Sequence, residues 1–289
     1  MKKHAYLIIA HAVDKTLNTL LELIDDPRND VFLHMDKKNK SFNKDDLYKF
    51  KHSPLYLTDR ISVNWGGYSL VCSELILFEA AHAKQNYQYY HLVSGVDLPI
   101  KTQDQIHQFF DENNGKEFIS FESKVFSGHL YGERIWQYHF FQEFIGRKAF
   151  FLGKIEALSV KLQALLGVHR NRDVNFQKGC QWVSVTNAFV SELLRNKEWV
   201  ERVFKFSFGA DELYKHTFAI NFGFADKIYI STKENKPSSM RLIDWTRGRP
   251  YLWKESDWDI IVHSDKLFAR KFNDSEYGIV DHIKRHLLG

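Results

Sequence analysis

Apolar residues run unbroken through Tyr6-Leu7-Ile8-Ile9-Ala10 and nearly so through Val31-Phe32-Leu33-His34-Met35. Runs without polar alternation predict strands buried on both faces, as in a parallel sheet. Between them Leu17, Leu20, Leu21 and Ile24 recur at helical spacing, and Asp25-Asp26-Pro27 ends that helix. Leu55-Tyr56-Leu57 predicts a third strand, 69–84 a long amphipathic helix, and Tyr89-Tyr90-His91-Leu92-Val93 a fourth strand. Another helix starts at Thr102, a good N-cap, with Ile106, Phe109 and Phe110 on one face. This alternation predicts an α/β fold of Rossmann type, with a mostly parallel, doubly wound sheet flanked by helices.

The second half is less regular. Strands are expected at 118–121, 181–185, 228–230 and 242–245. Helices are expected at 154–166, from 186 through Leu194, from Asp211-Glu212 onward and at 276–288. Positions 126–151 are rich in aromatics with charges interspersed. No internal repeat or Pro/Ser-rich linker breaks the chain, so a single compact domain over 1–289 is expected.

Composition narrows the function. The 289 residues carry 40 Lys+Arg against 36 Asp+Glu, a net charge of +4. That excess is too small to argue for nucleic acid, though it suits an anionic ligand. Hydrophobic content of 44% with 26% charged residues excludes wholesale disorder. Cys72 and Cys180 make neither a disulfide framework nor a metal-type spacing, and Cys72 is expected to be a small core residue. The run Ala5 to Ala10 is too short for a signal sequence, and no stretch nears the roughly 18 apolar residues of a membrane span. A soluble, cytoplasmic protein is expected, at most peripheral to a membrane.

Several positions carry candidate chemistry. Asp36 closes the second strand, where open α/β sheets bind ligands; it suits a ribose hydroxyl or base edge, or a helix cap. Gly66-Gly67 beside Trp65 would allow a phosphate to approach closely. No GxGxxG follows the first strand and no GxxxxGK[ST] occurs, so dinucleotide and P-loop readings lose their main support. Asp257-Trp258-Asp259 sits in a charged segment and is expected at the surface. Asp211-Glu212 reads as two acids in a first helical turn, favoured by the helix dipole. Arg247, Arg249, Lys266, Arg270 and Lys271 surround Trp245, Trp253 and Phe268, as a solvated basic face or as an anion site.

Longer blocks change the weight of these residues. They are 4–11 (HAYLIIAH), 33–38 (LHMDKK), 63–69 (VNWGGYS) and 90–101 (YHLVSGVDLPIK), followed by 209–212 (GADE), 242–245 (LIDW) and 267–272 (LFARKF). In this order they resemble the core-2/I-branching β-1,6-N-acetylglucosaminyltransferase family, most weakly between 122 and 178. The resemblance implies a GT-A-like inverting glycosyltransferase. Its nucleotide-sugar half would be 1–121 and its acceptor and catalytic half 122–289.

Carried over by position, Glu212 matches the family's catalytic base. Lys271 and Arg249 match the pair that contacts the donor diphosphate, with Arg247 an alternative because the loop after Trp245 is short. Asp36, with His11, Trp65 and Asp97, would hold the nucleoside, while Trp182, Asp211 and Trp245 would face the acceptor. Many GT-A enzymes hold Mn²⁺ or Mg²⁺ with Asp-x-Asp at a strand end. Here the fourth strand closes on Ser94-Gly95-Val96-Asp97, so no metal and no other cofactor is expected.

The implied partners are a UDP-sugar donor and a glycan or lipid-linked glycan acceptor. GlcNAc is the first choice of sugar, with xylose, glucose and galactose as alternatives. The family's animal members carry many cysteines and a membrane anchor; without them, a bacterial enzyme of surface-polysaccharide synthesis is expected. A non-catalytic carbohydrate- or nucleotide-binding module is the reading from another class.

Overall fold

Three apolar runs form the centre of the main sheet: β1 (His4–Ala10), β2 (Asn29–Met35) and β4 (Tyr89–Ser94). In this computed structural model, which describes residues 2–122, 132–145 and 150–289, they are buried almost throughout. Strands β3 (Leu55–Leu57) and β6 (Ser184–Thr186) complete the order β3-β2-β1-β4-β6. All pairings are parallel except β4 with β6. Side chains of β1 alternate between two apolar layers, Ala5 and Leu7 on one side, Tyr6, Ile8 and Ala10 on the other.

Helix α1 (Lys15–Leu23) and the closing helix Tyr277–Leu288 cover the second layer. Helix α2 (Ser69–Lys84) covers the first, through Val71, Leu77, Phe78 and Ala81. Asp14 starts α1 by accepting the Leu17 amide at 2.8 Å, a cap of about 1 kcal/mol. Thr102 and Gln105 form a capping box at the head of α3 (Gln103–Glu112).

From β1 the chain builds outward through β2 and β3, then returns to lay β4 on the other side of β1. That reversal opens a crevice at the carboxyl ends of β1 and β4, where open α/β sheets take ligands. A second sheet sits beside it. Its strands β5 (Asp97–Pro99), β7 (Arg241–Ile243) and β8 (Phe268–Arg270) run in the order β5-β8-β7, and Asp97 faces Arg270 in the register. The end of β8 is thereby brought to the crevice.

The irregular half departs from the sequence pattern in places. Residues 118–121 and 228–230 make isolated bridges, Phe118 to Ser184 and Ile230 to Pro237, rather than strands. The expected strands at 181–185 and 242–245 shift to β6 and β7. The 126–151 stretch falls partly at 123–131 and 146–149, outside the described residues. Cys72 is half-buried rather than in the core. Among the described residues no helix is long and apolar enough to cross a membrane.

Candidate active site

A cleft of about 930 Å³ lies over the crevice. His11 beyond β1, Asp36 beyond β2 and Gly95-Val96 beyond β4 line one end of it. Asp36 is held by backbone: its carboxylate accepts the Lys38 amide at 2.9 Å and the Val63 amide at 3.3 Å. The aromatics of the wall differ. Trp65 and Trp245 are 51% and 57% exposed, enough to stack on a ligand, whereas Trp182 is buried under the Arg270 guanidinium, 4.6 Å from the ring centre.

Glu212 reaches the cleft from a 3-10 turn, Ala210–Glu212. Gly209 precedes it at φ +66° and donates its amide to the carbonyl of Gly66, itself at φ +74°. Side chains other than glycine rarely adopt this left-handed backbone. A Cβ on Gly66 would stand 2.6 Å from the Phe208 ring, and one on Gly67 2.6 Å from the Glu143 carboxylate. The two glycines therefore dock loop against loop; they do not line the cleft.

Two cations address one oxygen of Glu212: Arg134 at 3.2 Å and Lys178 at 3.4 Å, both from Oε2. Oε1 has no hydrogen-bond partner among the described residues, and the side chain is 36% exposed. One oxygen is held and the other has no such partner among the described residues. Behind this turn lies a buried network. Glu74 of α2 accepts from the Tyr214 hydroxyl at 2.5 Å, from Gln181 at 2.8 Å and from the Lys215 ammonium. Lys215 also donates to the Asp211 carbonyl at 3.2 Å. Burial, with Glu74 and Glu212 nearby, pushes the Asp211 carboxyl up to about 7. Asp211 lines the cleft, yet no side chain caps the helix Tyr214–Asn221 that follows.

The cations expected near the diphosphate divide into two kinds. Arg247 is locked between Asp244 at 2.5 Å and Asp257 at 2.6 Å and lies over the Tyr251 ring; it is not on the cleft wall. Its guanidinium holds the Asp244 carboxyl well below the usual range. Asp257, expected at the surface, is buried by this pair. Arg270 is tied to Ser94 and to Asp97, the latter at 2.7 Å. Lys266 pairs with Glu234 at 2.9 Å. Arg249 and Lys271 both line the cleft, and among the described residues neither side chain has an acidic partner.

The structure thus brings together Glu212, Asp211, Arg249, Lys271, His11, Asp36, Trp65, Trp182 and Trp245. It leaves out Arg247 and Asp97. Asp97 is buried, with its oxygens occupied by the Ser94 amide at 2.7 Å, the Ser94 hydroxyl at 2.9 Å and Arg270. Among the described residues no three His, Cys, Asp or Glu side chains gather as a metal site. Sequence reasoning missed Arg134, Lys178, Glu74 and Lys215. Only Glu74 left a signal, a carboxylate on the buried stripe of an apolar helix, where it needs a partner.

An open α/β sheet carries at its switch point a cleft with one carboxylate, Glu212, and two cations, Arg249 and Lys271, that have no acidic partner among the described residues, an arrangement suited to an enzyme. The chain belongs to the core-2/I-branching enzyme family, whose pattern it matches over residues 4–267, and it is a glycosyltransferase. No curated protein matches it. Among solved structures, mouse xyloside xylosyltransferase 1 in its apo form is 11% identical, covering 96% of this chain and 99% of that one, with a TM-score of 0.41. Residues 1–349 of S. aureus TarS are also 11% identical, covering 50% and 43% of the two chains, with a TM-score of 0.29.

Proposed function

We propose that this glycosyltransferase moves a sugar from a UDP-sugar, UDP-GlcNAc first, to a hydroxyl of a glycan acceptor, with inversion and without a metal. The observation that carries the reading is the division of charge in one cleft. Glu212 offers a free carboxylate oxygen, and Arg249 and Lys271 offer cations with no acidic partner among the described residues. In a single displacement the acceptor oxygen bonds to the anomeric carbon while the bond to the diphosphate breaks. The bonding pair leaves with UDP, and the acceptor proton passes to Glu212 Oε1. A positioned base contributes on the order of 10²–10⁴-fold. Charge grows on the leaving diphosphate, so fixed cations favour the transition state over the ground state. Arginine can bind two phosphate oxygens and lysine adds a point charge.

Asp36 suits the ribose or base, with His11 and Trp65 beside it. Trp245, Asp211 and the covered Trp182 suit the acceptor side. The acceptor class we favour is a lipid-linked glycan of surface-polysaccharide synthesis. The test is transfer from UDP-GlcNAc, UDP-xylose, UDP-glucose and UDP-galactose, each with excess EDTA and with added Mn²⁺. Turnover undiminished by EDTA is expected. Loss in EDTA with rescue by Mn²⁺ would overturn the cation-pair mechanism, and a larger thermal shift with ADP or GDP than with UDP would overturn the uridine assignment.

A further inference from the structure

The helix Phe150–Leu165 is built inside out. Phe151, Ile155, Leu158, Leu162, Leu165 and the following Leu166 recur at i, i+4, i+7, i+11, i+14 and i+15, a single helical stripe. That stripe faces solvent: Phe151 is 74% exposed, Leu158 69% and Leu165 85%. Glu156 and Gln163 point inward. Glu156 is buried, 3.0 Å from His139 and accepting the Phe141 amide at 3.2 Å. Gln163 exchanges two hydrogen bonds with the Tyr138 backbone, at 2.7 and 2.9 Å. Phe144 on the preceding turn, 73% exposed, adds to the apolar surface. A helix that turns Glu156 and Gln163 to the protein and a continuous leucine stripe outward is made for a surface other than water.

Charge identifies that surface. This helix carries Lys154, Glu156 and Lys161; both lysines are exposed and the acid is buried. Glu143 also points inward, accepting the Ser69 amide at 2.7 Å. Two copies meeting face to face would set lysines against lysines, whereas anionic headgroups would meet them favourably. We infer that this helix lies in the interface of an anionic lipid bilayer, leucines in the acyl boundary and lysines at the phosphates. On its protein side, Gly153, Ala157 and Val160 line a second cavity of about 430 Å³, and Trp65 and Arg134 border both it and the cleft. The helix thus stands between the membrane and the approach to Glu212. This deepens the lipid-linked acceptor assigned above and rests on it for its purpose, though not for its measurement.

The experiment is flotation of the full chain with vesicles of equal parts phosphatidylglycerol and phosphatidylcholine, and with phosphatidylcholine alone, without donor or acceptor. The wild type is expected to float with the anionic vesicles and to partition at least tenfold less onto the neutral ones. Leu158→Glu with Leu165→Glu should lower partition at least tenfold while melting temperature and thermal shift with UDP stay unchanged; neither residue lines either cavity. Lys161→Glu should weaken binding to anionic vesicles only. A wild type that stays in the bottom fraction, or a double variant that floats as well, overturns the proposal. So does a wild-type dimer in sedimentation equilibrium that the double variant dissolves. Because no transfer is measured, failure of the UDP-sugar reading leaves this result standing, and the converse also holds.

Discussion

Two stretches of the cleft wall follow opposite rules of charge. Around Glu212 two carboxylates are matched within the protein: Glu212 to Arg134 and Lys178, and Glu74 to Lys215. Around Lys271 the neighbours Arg247 and Arg270 are matched too, but Arg249 and Lys271 have no acidic partner among the described residues. Matched charges orient; unmatched ones wait for a ligand. The first stretch can therefore keep a base in position before substrate arrives, and the second can give its attraction to an anion.

The largest effect is expected where matching is deepest. Glu74→Gln leaves the Lys215 charge buried without its counterion, and urea denaturation should show a loss of about 3–5 kcal/mol. Unchanged stability would mean that the network behind Glu212 does not support its turn. Next comes Glu212→Gln, which should lower transfer by about two orders of magnitude or more while thermal shift with UDP persists. Turnover like the wild type's would move the role of base to Asp211.

The unmatched cations come third. Arg249→Ala and Lys271→Ala should each weaken UDP about tenfold or more, as loss of a charge-assisted bond does, and slow turnover with it. Arg247→Ala, whose partners are Asp244 and Asp257, should leave UDP affinity within about twofold. If isothermal titration found all three alike, the division between matched and unmatched cations would fail.

The last expected effect concerns pH. The Asp211 carboxyl is raised from 3.8 to about 7, so between those values the folded protein binds more protons than the unfolded chain. Stability contributed by this group falls as pH rises through that window and levels off above it. Asp211→Asn should flatten that fall, and melting temperatures at pH 5 and pH 8 would reveal it. An unchanged slope would place the raised group elsewhere.

The parallel core was legible in the sequence because its strands are short apolar runs, and burial on both faces writes itself into consecutive residues. β1, β2 and β4 lie where the runs predict them. The expected strands at 118–121 and 228–230 failed for the complementary reason. The bridges Phe118 to Ser184 and Ile228 to Glu117 join segments far apart in the chain, which a local window does not contain. The same distinction divides the site. Asp36, Glu212 and Lys271 stood out by strand end or by family motif. Arg134 and Lys178 sit 78 and 34 positions from Glu212 in segments without a pattern, and only folding brings them to its carboxylate.

The sequence by itself determined the alternation of strands and helices, the ends of the strands where a ligand would lie, and the family, all properties carried by neighbouring residues. Only the tertiary structure decided which of four cations keep a charge without an acidic partner among the described residues. Arg247 and Arg249 are two residues apart, and Arg270 and Lys271 are consecutive, yet one of each pair is consumed by a carboxylate from elsewhere in the chain. It also decided which face of the helix Phe150–Leu165 meets solvent, since a helical stripe records period and not direction. Ion pairing and burial depend on what lies across space, and a linear pattern holds no coordinate for that.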